Sequence, residues 1–399
     1  MKQDIIDELK ERGIIKQIVF EDELHELIKK KKCACYCGFD PSMDSLTIGH
    51  GVALTLLVRM ARAGFTPIAL VGGATGQIGD PTGRNDMRPE KTMEQLNHNL
   101  SCIKKQITDF FERNGVDNAI IVNNDDWTKK LSYYDFLNEI AKHMSVNRML
   151  ASECFKSRME NGLTLAEFVY MPMQAYDFLS LFKEHNCMIE MGGDDQWGNI
   201  LAGVELIRRK ERKPAFAFTL PLLTKADGTK MSKSAGGAVW LDPKRTSDFE
   251  MFQYMRNTAD NKVEEYLRML TLLPLDEIKK LCQGKGKELN HAKEVLAYEV
   301  VRILRGEKSA EKALEQSKSA FGGDASDIPT KTISSNELNI VDCLVAVGFA
   351  GSRGDAKRLI QGGGIKVGEK VIDNFDFVCP KDEFVLYKGK KNLVKVKVA

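Results

Sequence analysis

The spacing of apolar and polar residues divides the chain into strand-like and helix-like segments. Apolar residues at helical spacing predict one or two amphipathic helices within residues 1–30 and another helix over 49–63, ending before Gly64. Short apolar runs bounded by glycine or proline predict strands at residues 33–39, 67–71, 119–122 and 215–223. Alternating strands and helices are typical of an α/β domain with a doubly wound, Rossmann-like parallel sheet.

The pattern changes after residue 235. Helical spacing dominates residues 246–319, and a stretch rich in glycine, aspartate and serine follows. Beyond it, two short helices and short strand-like runs predict a small α-plus-β module. The expected segments are an N-terminal helical segment, an α/β domain, a helical domain, a linker and this module, at residues 1–32, 33–235, 236–320, 321–335 and 336–399.

Composition adds limits. A chain of 399 residues is too long for one core, so several domains are expected. The net charge of +2 gives no overall attraction to polyanions, so a nucleic acid would have to bind local basic patches. Nine cysteines without a CxxC pair predict a reduced, cytoplasmic protein, and no apolar run has membrane-span length. The histidines lack ligand spacing, so no protein-bound metal is expected.

Two short motifs carry candidate phosphate chemistry. Thr47-Ile48-Gly49-His50 opens a predicted helix, where a glycine lets the backbone approach a phosphate and the helix dipole favours negative charge. Lys230-Met231-Ser232-Lys233-Ser234 lies in a polar loop, from which two lysines can neutralise a departing pyrophosphate. Taken singly, such a loop is more often merely solvated. Together, about 180 residues apart, the two motifs indicate a nucleotide-dependent enzyme.

Three further segments sharpen this interpretation: Tyr36-Cys37-Gly38-Phe39-Asp40-Pro41, the stretch 170–177, and Gly192-Gly193-Asp194-Asp195-Gln196-Trp197. With the first two motifs they resemble the bacterial tyrosyl-tRNA synthetases, a class I family, over essentially the whole chain. The resemblance implies that L-tyrosine reacts with ATP to give tyrosyl-adenylate and pyrophosphate, and that tyrosine is then transferred to tRNA(Tyr). It also implies Mg²⁺ on the phosphates, a homodimer, and tRNA binding by the helical domain and the C-terminal module.

The same resemblance assigns residues to roles. It implies that tyrosine is bound by Tyr36, Asp80, Tyr170, Gln174, Asp177 and Gln196, with Tyr36 and Asp177 at the phenol hydroxyl. It implies that ATP is bound by Gly38, Asp40, Gly49, His50, Gly193, Asp195, Lys230 and Lys233. The catalytic set would be Thr47, His50, Lys230 and Lys233.

Two features need comment from the residues themselves. Tyr170, Gln174 and Asp177 are spaced so that one helix face could present all three, although Pro172 predicts a kink or a helix start between them. Thr47 stands where the family motif often has histidine. Its hydroxyl can donate one hydrogen bond, but with shorter reach and no positive charge. We therefore expect activity to be retained, with His50 contributing more of the hydrogen bonding to the phosphates.

Basic residues suggest where RNA would bind. The resemblance places Arg353, Lys357 and Arg358 on the second helix of the C-terminal module. Arg208 and Arg209 begin a basic run that could meet the acceptor stem, but a solvated helix end explains that run slightly better. Contacts of this kind add affinity and salt dependence with little sequence discrimination.

Other interpretations remain open on the sequence alone. The chain could be an RNA-binding protein on a synthetase scaffold that has lost catalysis, an option that only Thr47 favours. It could also be a tryptophan-specific relative, since a carboxylate at Asp177 could accept an indole N–H. Asp177 and Gln174 could be satisfied core residues, and Asp80 could be a turn residue before Pro81.

Overall fold

The computed structural model describes residues 4–30, 32–82, 91–229, 231, 233–234, 237–322, 330–334, 337–389 and 392–398. The chain divides into two compact units, one of residues 1–228 and 259–292, the other of residues 229–258 and 293–399. This division groups residues 259–292 with the predicted α/β domain. The five-segment organisation stays a prediction.

In the first unit, six strands of the described residues form one sheet in the order β1-β6-β5-β2-β3-β4. Their bounds are Ile18–Val19 (β1), Ala34–Phe39 (β2), Thr66–Val71 (β3), Ile120–Asn123 (β4), Cys187–Gly193 (β5) and Phe216–Leu220 (β6). The strands β2 to β6 pair in parallel, and β1 pairs antiparallel with β6. The predicted α/β class is therefore confirmed.

The helices follow in chain order: Ile5–Glu11 (α1), Glu21–Lys30 (α2), Gly51–Arg62 (α3), Thr75–Ile78 (α4), Met93–Arg113 (α5), Asp125–Thr128 (α6), Tyr133–Glu139 (α7), Val146–Leu150 (α8), Glu153–Asn161 (α9), Leu165–His185 (α10), Trp197–Lys210 (α11), Asp248–Arg256 (α12), Val263–Leu270 (α13), Leu275–Leu281 (α14), Lys287–Arg305 (α15), Glu307–Gly322 (α16), Ile340–Ala346 (α17) and Arg353–Gln361 (α18). Short 3-10 turns occupy Ile48–His50, Ala141–His143, Asp194–Gln196 and Asp260–Lys262. Among the described residues, no helix combines the length and apolar character that crossing a membrane requires.

The central strand β5 was missing from the sequence prediction. Parallel strands buried on both faces show a continuous apolar run rather than alternation. In β5 the acidic residue Glu190 interrupts that run, so the segment does not look like a buried strand. Helices α10 and α11 cover the sheet here, with Phe178 and Ile200 in the same buried core as Tyr36.

Helix α10 starts earlier than Pro172 suggested. Its N-cap is Thr164, whose hydroxyl accepts the Glu167 backbone N–H at 3.3 Å, while the Glu167 carboxylate accepts the Thr164 backbone N–H at 3.1 Å. This reciprocal cap fixes the start ahead of the motif, and the helix continues through Pro172 to His185. A helix start within the motif was therefore wrong.

The second unit contains a short hairpin, Lys233–Ser234 (β7) with Gly237–Ala238 (β8), and a sheet of five described strands ordered β11-β10-β12-β13-β9. These strands are Thr330–Ile333 (β9), Ile365–Val367 (β10), Lys370–Val371 (β11), Phe384–Lys388 (β12) and Asn392–Val398 (β13). Within the predicted linker, 321–335, the structure places β9, which pairs in parallel with β13. Each residue of β9 pairs with one 65 positions further along the chain, as Thr330 does with Lys395, so local composition could not reveal the pairing.

Candidate active site

The carboxyl ends of β2 and β5 are neighbours at the centre of the sheet. From β2 the chain proceeds to β3 on one side, and from β5 it proceeds to β6 on the other. Parallel sheets open a crevice at such a switch point, outside the ends of the strands. Tyr36 of β2 and Glu190 of β5 are register partners, so their side chains share one face of the sheet below α10.

A buried acid, Asp177 on α10, lies at one end of this crevice. Its carboxylate accepts the Trp127 indole N–H at 2.8 Å and the Asn124 amide N–H at 3.0 Å, and the residue is only 2% exposed. The Tyr36 ring packs against Phe178 with centroids 5.4 Å apart. An aromatic wall ending in a carboxylate acceptor suits a flat substrate that carries a terminal donor.

Burial is the main cause of the pKa shifts in this region. It raises the pKa of Asp177 to about 7, although the bonds from Asn124 and Trp127 favour the ionised form. It also raises the pKa of Glu190 to about 8, and the negative charge of Asp177 adds to that rise. The pKa of Tyr36 lies well above its usual value because of burial and the charge of Glu190. Tyr36 is therefore a neutral donor at physiological pH.

A second polar cluster lies around Asp80 and Gln196. One Asp80 oxygen accepts the Gln196 amide N–H at 2.6 Å, and the other accepts the Thr82 backbone N–H at 2.9 Å. The Gln196 carbonyl oxygen accepts the Asn199 amide N–H at 3.0 Å. Asp80 is thus a turn residue, as the structural alternative held, and is also linked to a predicted site residue.

The helix face predicted from residue spacing is present in α10. The Tyr170 hydroxyl donates to Asp40 at 2.9 Å, and the Gln174 amide donates to Glu190 at 2.9 Å. With Asp177 these residues direct three polar groups toward the strand ends. Gln174 and Asp177 both have protein partners, which a purely structural role would also require.

The predicted nucleotide residues are placed by close backbone packing. The second Asp40 oxygen accepts the Thr75 hydroxyl at 2.8 Å, and a Cβ at Gly72 would lie 2.1 Å from that oxygen. A Cβ at Gly193 would lie 2.6 Å from Asp195 Oδ1. Gly38 differs, because a Cβ there would meet no described atom within 4 Å. The backbone at Gly38 therefore leaves room for a flat group to approach.

Thr47 and His50 flank the 3-10 turn that leads into α3, with Gly49 exposed between them. The His50 Nδ1 atom lies 3.1 Å from both the Thr47 backbone nitrogen and the Thr47 hydroxyl. Because Nδ1 accepts the backbone N–H, the neutral ring carries its hydrogen on Nε2. Desolvation lowers the pKa of His50, which keeps the ring neutral near pH 7. Nε2–H is then the group that can donate to a ligand.

The lysine loop is described only in part. Lys230 lies outside the described residues, and Lys233 is placed by its backbone alone, at the start of β7. Met231 is buried, and its carbonyl oxygen accepts the Tyr254 hydroxyl at 2.5 Å.

The basic residues predicted for RNA occupy two settings. On α11, Arg208 pairs with Glu23 at 2.9 Å and Arg209 with Glu205 at 2.9 Å. On α18, the side chains of Arg353, Lys357 and Arg358 are exposed. Arg353 pairs with Asp342, Arg358 lies 3.8 Å from Asp355, and Lys357 lies over the Phe375 ring.

Among the described residues, one group of side chains could offer several ligand atoms to a metal ion. Asp4, Asp7 and His25 bring their ligand atoms within 4.8 Å of one another. Asp4 caps α1 and contacts His25 Nδ1 at 2.7 Å. A helix cap and an ion pair account for this group without an ion.

Sequence reasoning missed Asn124, Trp127 and Glu190. The first two follow β4 directly, at the edge where parallel strands present functional side chains, so the Asn-Asn-Asp-Asp-Trp sequence was a usable signal. Glu190 was detectable as a charged residue within an apolar run, had that run been identified as a strand.

Comparison with known proteins gives a consistent result. Residues 29–322 match the family model for class I tRNA synthetases (W and Y), and residues 321–396 match that of the tyrosine–tRNA ligase SYY-like C-terminal domain. The chain is 49% identical over 407 residues to a tyrosine–tRNA ligase of Clostridium botulinum (strain Hall), covering 99% of each. It is 47% identical to tyrosine–tRNA ligase 1 of Clostridium acetobutylicum, covering 98% of each.

Solved structures agree. A C-terminally truncated mitochondrial tyrosyl-tRNA synthetase of Aspergillus nidulans is 31% identical, with a TM-score of 0.73 over 80% of this chain and 95% of that one. A tyrosyl-tRNA synthetase of Archaeoglobus fulgidus, complexed with L-tyrosine, shares the fold at 20% identity, with a TM-score of 0.59 over 78% of this chain and 100% of that one.

Proposed function

The chain belongs to the class I tyrosyl-tRNA synthetases, and we propose that the crevice between β2 and β5 is where it binds and activates tyrosine. As an enzyme it is a tyrosine–tRNA ligase. Its activity consumes L-tyrosine and ATP and loads tyrosine onto the terminal adenosine of tRNA(Tyr). Neither alternative, a scaffold without catalysis or a tryptophan-specific enzyme, gains support from these relatives.

The buried Asp177 carboxylate carries the assignment of the tyrosine site. An ionised carboxylate can only accept, and the Tyr36 hydroxyl can donate, so together they satisfy both functions of a phenol hydroxyl. Phenylalanine would leave the buried carboxylate without that partner, which costs about 1–3 kcal/mol or more for a charged group. Asp80, Tyr170, Gln174 and Gln196 form the polar region that we assign to the ammonium end of tyrosine.

The reaction needs positioning and charge stabilisation rather than a protein nucleophile. The tyrosine carboxylate attacks the α-phosphorus of ATP in line, and pyrophosphate leaves. We assign Gly38, Asp40, Gly193 and Asp195 to the adenosine side, and the Gly49 backbone and His50 Nε2–H to the phosphates. Lys230 and Lys233 would supply positive charge as pyrophosphate departs, and Thr47 would hold the His50 ring.

Mg²⁺ is proposed to enter with the phosphates of ATP. When bound, it offsets phosphate charge in the transition state. Both Asp40 oxygens already accept hydrogen bonds, from Tyr170 and Thr75, so this carboxylate is poorly suited to hold the ion by itself. The phosphate oxygens are hard donors that match Mg²⁺.

The assignment is tested by amino-acid-dependent ATP–pyrophosphate exchange with tyrosine, phenylalanine and tryptophan. Wild-type protein is expected to exchange with tyrosine alone, and Asp177→Asn should lose tyrosine selectivity while keeping its melting temperature. Unchanged kinetics in Asp177→Asn would remove the crevice from tyrosine recognition. Exchange by the wild type with tryptophan rather than tyrosine would contradict the assignment of the substrate.

For tRNA, we propose the exposed face of α18 as the stronger contact. Arg353, Lys357 and Arg358 share this short helix and are all exposed, although Arg353 pairs with Asp342; on α11, Arg208 is partly buried and both Arg208 and Arg209 pair with glutamates, Glu23 and Glu205. Phosphate contacts of lysine and arginine should make tRNA binding fall steeply with salt.

We propose that the enzyme is a cytoplasmic homodimer. Its cysteines are free thiols, as is typical of a reducing compartment. A groove of about 400 Å³ is lined by Val146, Met159, Leu165 and their neighbours, and these three side chains are 51–76% exposed. Large apolar patches of this kind mark interfaces, and a second copy of the chain is the occupant we assign.

A further inference from the structure

Two buried polar atoms at the tyrosine site have no partner but each other among the described residues. Glu190 is 1% exposed, and one of its carboxyl oxygens, Oε1, accepts the Gln174 amide N–H at 2.9 Å. The other, Oε2, and the hydroxyl of Tyr36 make no hydrogen bond of normal geometry within the described residues, yet the two side chains interact with each other, and this contact affects the pKa of both. Because the two residues are register partners on adjacent strands, the unsatisfied atoms belong to one location.

The surroundings of Glu190 disfavour a negative charge. The groups that act on it electrostatically among the described residues are Asp177, Tyr36 and the thiols of Cys37 and Cys187, none of which is a cation. The Gln174 amide and the Tyr36 hydroxyl are its neutral hydrogen-bonding neighbours, and a Cβ on Gly203 of α11 would lie 3.0 Å from Oε2. A buried carboxyl beside another acid keeps its proton.

Asp177 and Glu190 therefore divide one charge between them. Asp177 receives two N–H donors, from Asn124 and Trp127, whereas Glu190 has one N–H donor, Gln174, and the hydroxyl of Tyr36, which can either donate or accept. Two interacting acids lose their protons in separate steps, and the better-solvated one ionises first. Asp177 is then the anion and Glu190 the neutral acid near pH 7. This order agrees with the raised pKa values of about 7 and about 8.

We propose that Glu190 is a positioning residue for tyrosine, acting as a neutral acid that donates Oε2–H to the hydroxyl oxygen of Tyr36. Since that oxygen then accepts, the Tyr36 hydrogen turns toward the phenol oxygen of the substrate, and the phenol hydrogen turns toward Asp177. Gln174 fixes the direction by binding Oε1, which leaves Oε2 as the protonated oxygen. This inference rests on the tyrosine site proposed above.

Loss of the Glu190 proton reverses the hydrogen bond between Glu190 and Tyr36. An ionised Glu190 accepts a hydrogen bond from the Tyr36 hydroxyl, so that the substrate phenol oxygen faces a lone pair of Tyr36 instead of its hydrogen. Glutamine at this position keeps the neutral arrangement at every pH, because its amide nitrogen donates to Tyr36 while its carbonyl oxygen accepts from Gln174. Leucine preserves volume but removes the donor.

The test compares wild type, Glu190→Gln and Glu190→Leu by pyrophosphate exchange between pH 6.5 and 9.5. The tyrosine KM of Glu190→Leu should be raised about tenfold at pH 7, and Glu190→Gln should restore it. The ratio of wild-type to Glu190→Gln KM for tyrosine should rise about tenfold from pH 7 to pH 9, with the ATP KM unchanged. The substrate ammonium group also titrates in this range, but equally for both proteins.

A constant ratio, or a Glu190→Gln variant as impaired as Glu190→Leu at pH 7, would overturn the proposal. Melting temperatures show whether each variant is folded, and the pH-dependent ratio does not follow from a packing defect. Tyr36→Phe and Asp177→Asn test the tyrosine site separately from the role of Glu190 within it. If both leave the tyrosine KM unchanged, the tyrosine site itself is misassigned; if both raise it, the outcome for Glu190 stands alone.

Discussion

At the scale of single residues, the ability of Asp177 to act as a buried, ionised acceptor depends on its two hydrogen-bond donors. A buried carboxylate costs several kcal/mol unless donors replace its lost water. The indole of Trp127 and the amide of Asn124 supply those donors from the loop that follows β4. Among the described residues these are the donors to Asp177, and its other lone pairs could accept the substrate hydroxyl that we propose.

Replacing Trp127 with phenylalanine should therefore weaken tyrosine binding. The ring volume is nearly kept, but the Asp177 carboxylate loses one N–H donor, worth about 1.5 kcal/mol or roughly tenfold in tyrosine KM. The ATP KM should change little. Trp240→Phe, in the other unit, is the matched control, and equal effects of the two substitutions would contradict this role for Trp127.

The raised pKa of Asp177 predicts an acidic limb for tyrosine recognition. Only the ionised carboxylate accepts the phenol hydrogen on either oxygen, so kcat/KM for tyrosine should fall about tenfold per pH unit below about 7. The measurement is a pyrophosphate-exchange profile from pH 5.5 to 8. In Asp177→Asn this limb should disappear, and its persistence would assign the titration to another group.

Sequence reasoning was strongest for residues within linear motifs. Tyr36, Asp80 and Asp177 could be named because their segments have a recognisable order along the chain. Asn124, Trp127 and Glu190 could not, because their importance arises from contacts across strands rather than from spacing. The contact of the Thr47 hydroxyl with His50, at 3.1 Å, is another such detail that spacing along the chain does not reveal.

At the scale of elements, the turn before α3 sets the direction of the His50 ring, the donor that we propose for the phosphates. The Thr47 backbone N–H binds His50 Nδ1 whatever the side chain at position 47. A threonine in place of the family histidine is therefore compatible with a correctly oriented imidazole. The turn geometry, more than the Thr47 hydroxyl, keeps Nε2–H available.

Substitutions in this turn should have unequal effects. Thr47→Val keeps the backbone bond and should lower the single-turnover rate of adenylate formation less than about tenfold. His50→Ala removes the donor to the phosphates and should lower that rate by about 100-fold or more. A larger loss in Thr47→Val than in His50→Ala would mean that the hydroxyl binds phosphate directly.

The loop after β3 is closely packed at Gly72, which predicts a loss of stability when a side chain is added there. A Cβ in Gly72→Ala would lie 2.1 Å from Asp40 Oδ1 and 2.3 Å from the Thr75 hydroxyl, so that their hydrogen bond must break. Overpacking of this kind costs about 1–3 kcal/mol, seen as a lower melting temperature. Gly38→Ala is the matched control, since its Cβ meets open space: stability should be kept while the ATP KM rises. Equal melting temperatures for both variants would count against close packing at Gly72.

Element-level prediction failed where a strand depends on distant partners. The segments β2, β3, β4 and β6 were identified because each is a short apolar run between turn signals. Both β5, with its buried acid, and β9, with its partner β13 far along the chain, lack such a local signature. Pro172 gave the opposite error, because it suggested a helix start where the helix in fact continues. The cap at Thr164 outweighs one missing backbone donor.

At the scale of the whole molecule, the apolar face on residues 146–168 is the feature that a single chain does not explain. Leu165 is 76% exposed although it begins a helix that is otherwise largely buried, and Tyr133 and Tyr134 are 72% and 76% exposed nearby in the sequence. Scattered exposed apolar residues need no explanation, but Val146, Met159 and Leu165 line one groove.

Leu165→Asp should therefore convert a dimer into a monomer. A charge at the centre of a symmetric interface is introduced twice, once per copy, and each must be desolvated without a partner. Sedimentation velocity at micromolar concentration should give twice the chain mass for the wild type and one chain mass for the variant. Val378→Asp, at an exposed apolar position of the second unit, is the matched control and should stay dimeric. A monomeric wild type would exclude the dimer, and a dimeric Leu165→Asp would place its interface on another face. The monomeric variant also separates the two steps of the reaction. If it loses tRNA aminoacylation but still activates tyrosine, the two copies cooperate in binding tRNA rather than in forming the adenylate.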